Sequence, residues 1–182
     1  MSGLFGVVAK EDCWDYLFYG TDYQSHLGTE FGGLAVANGA SITRRIHTIS
    51  QAQFKSRFYD ERQSLPGRLG IGVISANDPQ PMMLLSRFGE FAVCIDGNIV
   101  NRDALVKELH AIGVSFGDPV RGKVNSAELV ARLISLGDDI VDGIQKMYAR
   151  IEGAVSVLVL TPDGVYAARD KLGHSPLVVG SD

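Results

Sequence analysis

Short apolar runs that end in glycine turn signals are the feature that most constrains the fold of this chain. The run from Phe31 to Val36 leads into Asn38-Gly39, and the run from Ala154 to Leu160 leads into Pro162-Asp163-Gly164. Asn-Gly and Asp-Gly pairs favour the tight turns that join neighbouring antiparallel strands. The chain is therefore expected to contain β-hairpins, and its 21 glycines agree with many turns or bulges.

The same pattern predicts further strands along the chain. They are expected at residues 4–8, 41–49, 68–75 and 165–168, and two more are expected on either side of residues 87–89. The second of those two strands is expected to end at Asp96-Gly97, because an Asp-Gly pair is a turn signal.

Helical spacing of apolar residues separates these strands. One helix is predicted from Trp14 onward, and Asn101 is the expected N-cap of another. The clearest helix follows Asn125, because Glu128 stands in capping-box spacing and an apolar stripe runs on to Gly137. A further helix is expected at 140–151, and 51–67 carries a weak helical signal. This order of elements is typical of two packed sheets with helices outside, in a single domain over residues 1–182.

Composition and charge exclude several classes of function. The net charge is -4 and no lysine or arginine cluster is present, so a nucleic-acid partner is not expected. No apolar run reaches the roughly 18 residues of a spanning helix, and no leader precedes one, which predicts no membrane association and a cytoplasmic location.

Cysteines and histidines give no sign of a metal or cofactor site. Cys13 and Cys94 are far apart in apolar surroundings, which predicts buried free thiols in a reducing compartment. The histidines at 26, 47, 110 and 174 lack ligand spacing, so no metal and no cofactor are expected.

Ser2 is the candidate nucleophile. A small second residue favours removal of Met1. The freed α-amine of Ser2 has an ordinary pKa of about 7.7 to 8.0 and lies within reach of the Ser2 hydroxyl, so it could act as the base that activates this hydroxyl. Many chains begin Met-Ser without any catalytic purpose, so this pattern alone favours an ordinary strand start.

Segments along the whole chain resemble those of class II glutamine amidotransferases, most closely the glutaminase domain of the amidophosphoribosyltransferases. Matching segments occur in the family's order over residues 1 to 180. They are "MSGLFG", "SHLGT" with the following Gly33-Leu34, "GIG" at 70–72, "PQP" at 79–81, "DGNIVN", "NSAEL" and "YAARDKLGHSPLVVG".

The resemblance implies an α+β fold, the four-layer αββα sandwich of the N-terminal nucleophile hydrolases. Because the likeness stops near Gly180, the fold is expected to be truncated at its C-terminal end and to lack a phosphoribosyltransferase domain. The resemblance also implies substrate-side positions at His26 and Gly28, within the segment that matches the family's Gln-His-Arg-Gly-Gln.

Four positions depart from the family's chemistry. The nucleophilic cysteine is matched by Ser2, and the arginine that grips the substrate carboxylate is matched by Ser75. The oxyanion-hole asparagine is matched by Asp96, and the aspartate that holds the substrate ammonium is matched by Ser126. Gly97, whose N–H can serve the oxyanion hole, is kept. A hydroxyl cannot replace a bidentate guanidinium, and a carboxylate accepts rather than donates.

These departures favour a domain with the amidotransferase fold that has lost glutaminase activity and serves as a binding or regulatory module. The expected partner is a synthase or transferase subunit or a second copy of the chain. Two alternatives stay open. One is a serine-type N-terminal nucleophile amidohydrolase that uses Ser2 and the Gly97 N–H, and the other is a glutaminase subunit that supplies ammonia to a separate synthase.

Overall fold

The computed structural model describes residues 2–117 and 119–181. Eight strands and five α-helices lie in this part of the chain, with a short 3-10 helix at Tyr59–Ser64. Their order is β1 (Gly3–Val8), α1 (Trp14–Tyr23), β2 (Phe31–Asn38), β3 (Ser41–Thr48), α2 (Phe54–Phe58), β4 (Leu69–Ser75), β5 (Met82–Ser86), β6 (Gly89–Ile99), α3 (Arg102–Ala111), α4 (Ser126–Ile134), α5 (Ile140–Arg150), β7 (Gly153–Thr161) and β8 (Gly164–Ala168).

The strands form two four-stranded antiparallel sheets. The first has the order β1-β4-β2-β3, and the second has the order β5-β6-β7-β8. The hairpin predicted at Asn38-Gly39 is confirmed, because Asn38 pairs with Ser41 and Gly39 has a φ of 62°. The hairpin predicted at Asp163-Gly164 is confirmed too, with Thr161 paired with Gly164.

Alternation of side chains along the strands explains how the layers stack. In β2, Leu34 and Val36 join the cluster under α1 and α2, whereas Ala35 and Ala37 join the cluster between the sheets. Successive side chains of a strand point to opposite faces, so both faces of this strand are buried. The same alternation holds in the second sheet, and the members of its two clusters are Val93, Ile95, Val157 and Val159 on the helix side and Ala92, Cys94, Leu158 and Leu160 between the sheets.

Helices cover the outer face of each sheet. The predicted apolar face of α1 is buried with Phe54 and Phe58 of α2 against the first sheet. Leu105, Leu129 and Ile144 from α3, α4 and α5 pack in the cluster on the second sheet. The four-layer αββα arrangement is therefore confirmed, and the weak helical signal at 51–67 corresponds to α2 and the 3-10 helix.

Asp96-Gly97 does not end β6, contrary to the prediction. The strand runs on to Ile99, and Gly97 pairs with Val155 of β7. Gly97 has a φ of 136°, and a Cβ built there would lie 2.0 Å from the Ala154 carbonyl oxygen. The Asp-Gly pair thus marks a place where two backbones approach too closely for a side chain, rather than a turn.

The two predicted N-caps behave differently. Asn125 caps α4, because its Oδ1 accepts the N–H groups of Ala127 and Glu128 at 2.8 and 3.3 Å. Asn101 precedes α3 but makes no capping bond. Its side chain instead bonds the Arg150 carbonyl and the Glu152 N–H, which ties the start of α3 to the end of α5. α4 itself ends at Ile134, before Gly137.

Among the helices that the structure describes, none has the length and apolar character needed to cross a membrane. Cys13 and Cys94 are buried free thiols, as predicted.

Candidate functional site

A polar cleft of about 370 Å³ opens where β1, β4, β6 and the start of α4 meet. Four of the predicted site residues line it, namely Ser2, Ser75, Gly97 and Ser126. Ser2 and Ser75 come together because β1 and β4 are antiparallel neighbours, with Gly3 opposite Ile74, so the start of one strand lies beside the end of the other. The sheet register therefore places Ser2 next to the position that matches the family's arginine.

Asp96 lies at the Ser2 end of this cleft. The Ser2 backbone nitrogen donates a hydrogen bond to Asp96 Oδ1 at 2.7 Å, across 94 residues of sequence. Asp96 is half-buried in β6, next to Gly97. The Asp96 carboxylate therefore lies beside the backbone of the candidate nucleophile.

Ser75 is committed to the backbone of the turn that follows it. The side chain is buried, and its Oγ accepts the N–H groups of Asn77 and Asp78 at 3.4 and 3.2 Å. The hydroxyl thus closes a local turn, which is the usual role of serine at a strand end. The Ser75 hydroxyl carries no positive charge, so it cannot form an ion pair with a carboxylate.

The same turn is fastened to the start of α4. Asp78 Oδ2 accepts the Ser126 N–H at 2.9 Å, and Asn125 Nδ2 donates to the Pro79 carbonyl at 2.8 Å. A carboxylate at a helix N-terminus is stabilised by the partial positive charge there. One wall of the cleft is therefore a single hydrogen-bonded unit made of residues 75–79 and the first turn of α4.

Gln80 holds β6 at the floor of the cleft. Its buried side chain accepts the Ile95 N–H at 2.7 Å through Oε1 and donates to the Ile95 carbonyl at 3.3 Å through Nε2. Because both bonds go to one residue, the amide fixes the strand directly before Asp96.

Sequence reasoning missed several charged residues that line the cleft: Asp78, Arg102, Asp103 and Lys123. The side chain of Arg102 is 23% exposed and contacts Asp103 Oδ1 at 3.4 Å. Two of these residues could have been suspected from the sequence. Asp78 comes shortly after β4 and Arg102 shortly after β6, and both lie close to predicted site positions. Lys123 belongs to the connection before α4, and no pattern in the sequence predicts its place.

His26 and Gly28 do not line the cleft. His26 is exposed, and its Nδ1 lies 3.1 Å from the Tyr23 carbonyl oxygen. Gly28 packs against the end of β4, where a Cβ would lie 2.9 Å from the carbonyl carbon of Ser75. Gly28 thus lets its loop approach the wall of the cleft.

The thiols offer no alternative nucleophile. Burial, with a smaller contribution from the charge of Asp12, raises the pKa of Cys13 to about 11. Burial also raises the pKa of Cys94 well above its ordinary value. A buried, neutral thiol is a weak nucleophile, so neither cysteine is a candidate nucleophile.

Across residues 2–117 and 119–181, no group of three or more histidine, cysteine, aspartate or glutamate side chains is arranged to hold a metal ion.

A family model described as a glutamine amidotransferase domain matches residues 67–182 of this chain. The amidophosphoribosyltransferase of Methanocaldococcus jannaschii is 30% identical over 100% of this chain and 40% of its own length. That of Archaeoglobus fulgidus is 35% identical over 90% of this chain and 36% of its own length. The chain therefore spans at most two fifths of these relatives.

Solved structures show the same fold. Glutamine phosphoribosylpyrophosphate amidotransferase from B. subtilis, complexed with ADP and GMP, superposes with a TM-score of 0.81 at 23% identity. The superposition covers 93% of this chain and 37% of that structure. A second structure, described as the allosteric regulatory enzyme of purine biosynthesis, gives a TM-score of 0.82 at 22% identity over 93% of this chain and 37% of its own.

Proposed function

This chain belongs to the family of glutamine amidotransferase domains, and from that premise we propose that it does not hydrolyse glutamine. Its proposed role is a binding or regulatory module that keeps the glutaminase fold and an open polar cleft. The observation that carries the proposal is the 2.7 Å hydrogen bond from the Ser2 nitrogen to the Asp96 carboxylate.

Asp96 opposes the transition state of amide hydrolysis. Attack on an amide carbonyl develops negative charge on oxygen, which amidotransferases of this class are expected to stabilise with hydrogen-bond donors. Loss of one such donor costs about 10²- to 10³-fold in rate. A carboxylate at this position does more than remove a donor, because its own charge repels the oxyanion.

The same carboxylate weakens the proposed base. If Met1 is removed, the new α-amine of Ser2 stands beside Asp96, and an opposite charge nearby favours the protonated ammonium. A protonated amine cannot take the proton of the Ser2 hydroxyl. If the freed amine keeps the position of the Ser2 nitrogen beside Asp96, its protonated, inactive form is therefore favoured.

Substrate grip is reduced at two further positions. Ser75 and Ser126 stand where charged anchors are expected from the resemblance, and Ser75 Oγ already serves its own turn. Charge-assisted hydrogen bonds are roughly twice as strong as neutral ones. The hydroxyls of Ser75 and Ser126 would therefore bind the carboxylate and the ammonium group of an amino acid only weakly.

The cleft itself supports a binding role. It is open at Ser2 and is lined by charged residues of both signs, Asp78, Asp103, Arg102 and Lys123. Such a lining suits a small polar molecule that bears charged groups. A synthase or transferase subunit as partner, and the reducing environment of the cytoplasm, complete this proposal, and the two buried free thiols are compatible with that location.

A serine-type amidohydrolase is the second candidate. The observation that favours it is the access to Ser2, since Ser2 and Gly97 both line the open cleft. In that role the Ser2 hydroxyl would attack the substrate and the Gly97 N–H would face the oxyanion.

Ammonia release from glutamine separates the two candidates. Mass spectrometry of the purified chain first establishes whether Met1 is present. The native chain, Ser2→Ala and the control Ser41→Ala are then compared; Ser41 is an exposed serine at the start of β3, in the other part of the sheet from the cleft. We expect the same background rate from all three. Ammonia release from glutamine that Ser2→Ala abolishes and Ser41→Ala leaves intact would overturn the proposal. If another amide is hydrolysed instead, again by the native chain and Ser41→Ala but not by Ser2→Ala, the amidohydrolase is supported.

A further inference from the structure

The charged side chains of the cleft differ in how far they are already used inside the protein. Two carboxylates, Asp78 and Asp103, and two cations, Arg102 and Lys123, line the cleft. A third carboxylate, Asp96, stands beside it and accepts a backbone hydrogen bond there. Because formal charges of both signs are present, the charge of a ligand that fits depends on which of these groups remain available to it.

Two of the three carboxylates accept hydrogen bonds from the backbone. Asp78 Oδ2 accepts the Ser126 N–H at 2.9 Å, and Asp96 Oδ1 accepts the Ser2 N–H at 2.7 Å. Asp78 also faces the first turn of α4, whose partial positive charge offsets part of its own. These contacts reduce the negative charge that Asp78 and Asp96 present to an ammonium group of a ligand.

The two cations are used far less. Lys123 is exposed and makes no ion pair in the part of the chain that the structure describes. In the same part, Arg102 contacts a carboxylate only through Nε, which lies 3.4 Å from Asp103 Oδ1. The Asp103 side chain is 85% exposed, so water screens that pair. A guanidinium carries five N–H donors, and those on the two Nη atoms of Arg102 make no hydrogen bond to a described residue.

Backbone contacts hold the two cations in separate connections that face the same cleft. Lys123 and Val120 exchange both of their backbone hydrogen bonds, at 2.8 and 3.0 Å, so Lys123 follows a closed turn. Arg102 is the first residue of α3, and the preceding Asn101 donates from Nδ2 to the Arg150 carbonyl at 2.8 Å. The two positive charges thus enter the cleft from the α3 side and from the connection before α4.

The other available groups of the lining are neutral. The amides of Asn77 and Asn98 and the hydroxyl of Ser126 make no side-chain hydrogen bond to a described residue, and all can donate to an oxygen atom. The remaining carboxylate, Asp103, lies largely in solvent beside Arg102. The available groups therefore suit negatively charged oxygen atoms better than an ammonium group.

We propose that the cleft binds a small dianion without an ammonium group, anchored by Arg102 and Lys123. Two carboxylates or one phosphate group satisfy this description, because a guanidinium binds either in a bidentate manner. The cleft volume of about 370 Å³ is that of a site for a small molecule. The inference names the ligand class for the binding role proposed above and rests on that role.

Isothermal titration of the native chain with glutarate, inorganic phosphate and glutamine tests the ligand class. Glutarate has the carbon chain of glutamine, but it carries a second carboxylate in place of the amide and no ammonium group. We expect glutarate or phosphate to bind at least about tenfold more tightly than glutamine. The tighter of the two anions shows whether the anionic groups are carboxylates or a phosphate.

Charge variants test the anchors, using the anion that binds more tightly. Arg102→Gln and Lys123→Gln are each expected to weaken its binding about tenfold. The matched controls Arg57→Gln and Lys10→Gln remove exposed cations outside the cleft lining and are expected to leave the affinity unchanged. Asp103→Asn removes the competing carboxylate beside Arg102 and is expected to tighten binding about twofold. A purely structural role for these residues would not change the affinity in opposite directions, and circular dichroism confirms that each variant is folded.

Three results would overturn the inference. They are no binding of glutarate or phosphate at millimolar concentration, binding of glutamine as tight as that of either anion, and a loss of affinity in Arg57→Gln or Lys10→Gln equal to that in the cleft variants. The proposed function fails on a different measurement, the release of ammonia from glutamine that depends on Ser2, so the two failures are distinguishable.

Discussion

Replacing Asn125 with alanine is expected to have two effects at once: it loosens the wall of the cleft and it lowers the free energy of unfolding. Asn125 is buried, caps α4 through Oδ1 and donates to the Pro79 carbonyl through Nδ2. The alanine variant loses every one of these bonds. The first turn of α4 and the turn at 75–79 then have only the Asp78 carboxylate and packing between them.

The magnitude follows from two separate losses. Removing an asparagine N-cap costs about 1 kcal/mol, within a range of about 0.5–2. The lost bond to Pro79 adds about 1 kcal/mol. Asn125→Ala is therefore expected to lower the free energy of unfolding by about 2 kcal/mol, which for a chain of this size lowers Tm by roughly 4–8 °C.

Asn125→Asp separates the two contributions. The carboxylate keeps an acceptor for the cap and suits the helix N-terminus, but it cannot donate to the Pro79 carbonyl. In urea unfolding we expect the native chain to be most stable, the aspartate variant intermediate and the alanine variant least stable. The reasoning fails if Asn125→Ala unfolds within about 0.5 kcal/mol of the native chain, the range of ordinary surface substitutions.

Three further predictions concern buried and charged groups. Cys13 and Cys94 are expected to resist a thiol reagent at pH 8 in the folded chain and to react fully in urea, because burial removes access and raises both pKa values. Rapid labelling of the folded chain would contradict this. Glu128→Gln is expected to cost about 1–3 kcal/mol in urea unfolding, since the buried carboxylate accepts the Gly117 N–H and contacts Arg132; an unchanged midpoint would refute that role. Although burial opposes it, hydrogen bonds from Ser64 and His47 and the charge of Arg45 hold the pKa of Glu61 below its ordinary value. That stabilisation is present above the unfolded pKa near about 4.3 and is lost as pH falls through the folded pKa. Glu61→Gln should thus flatten the acid side of a stability profile, and an unchanged profile would count against it.

Most of the fold could be predicted from the sequence because it depends on alternation and spacing. Leu34 and Ala35 are neighbours in the chain but lie in different clusters, and that alternation is visible in the sequence alone. The spacing of Trp14 and Leu17 likewise predicts which face of α1 is buried. Predictions from short sequence signals were wrong where contacts between distant segments determine the local structure. Gly97 permits a close approach of β7 rather than a turn, and Asn101 bonds to a distant segment rather than to its own helix.

The site could be predicted only in part. Ser2, Ser75, Gly97 and Ser126 line one cleft, and their positions followed from matching segments in the sequence. Arg102 lines the cleft from the start of α3 and Lys123 from the connection before α4, and the pattern of residue types does not predict where either side chain lies. The contact between Asp96 and the Ser2 nitrogen crosses 94 residues and joins the two sheets, so it depends on how the sheets pack together.

The most direct test of the account asks whether Asp96 blocks glutamine hydrolysis. A Ser2→Cys chain supplies the stronger nucleophile, and ammonia release from glutamine is compared between Ser2→Cys and Ser2→Cys/Asp96→Asn, with Met1 removal confirmed by mass spectrometry in both. Since a restored oxyanion donor is worth about 10²- to 10³-fold, we expect the single variant to stay at background and the double variant to exceed it by at least that lower factor in kcat/KM. Equal ammonia release by the two variants above background would contradict the claim that the Asp96 carboxylate prevents this chemistry.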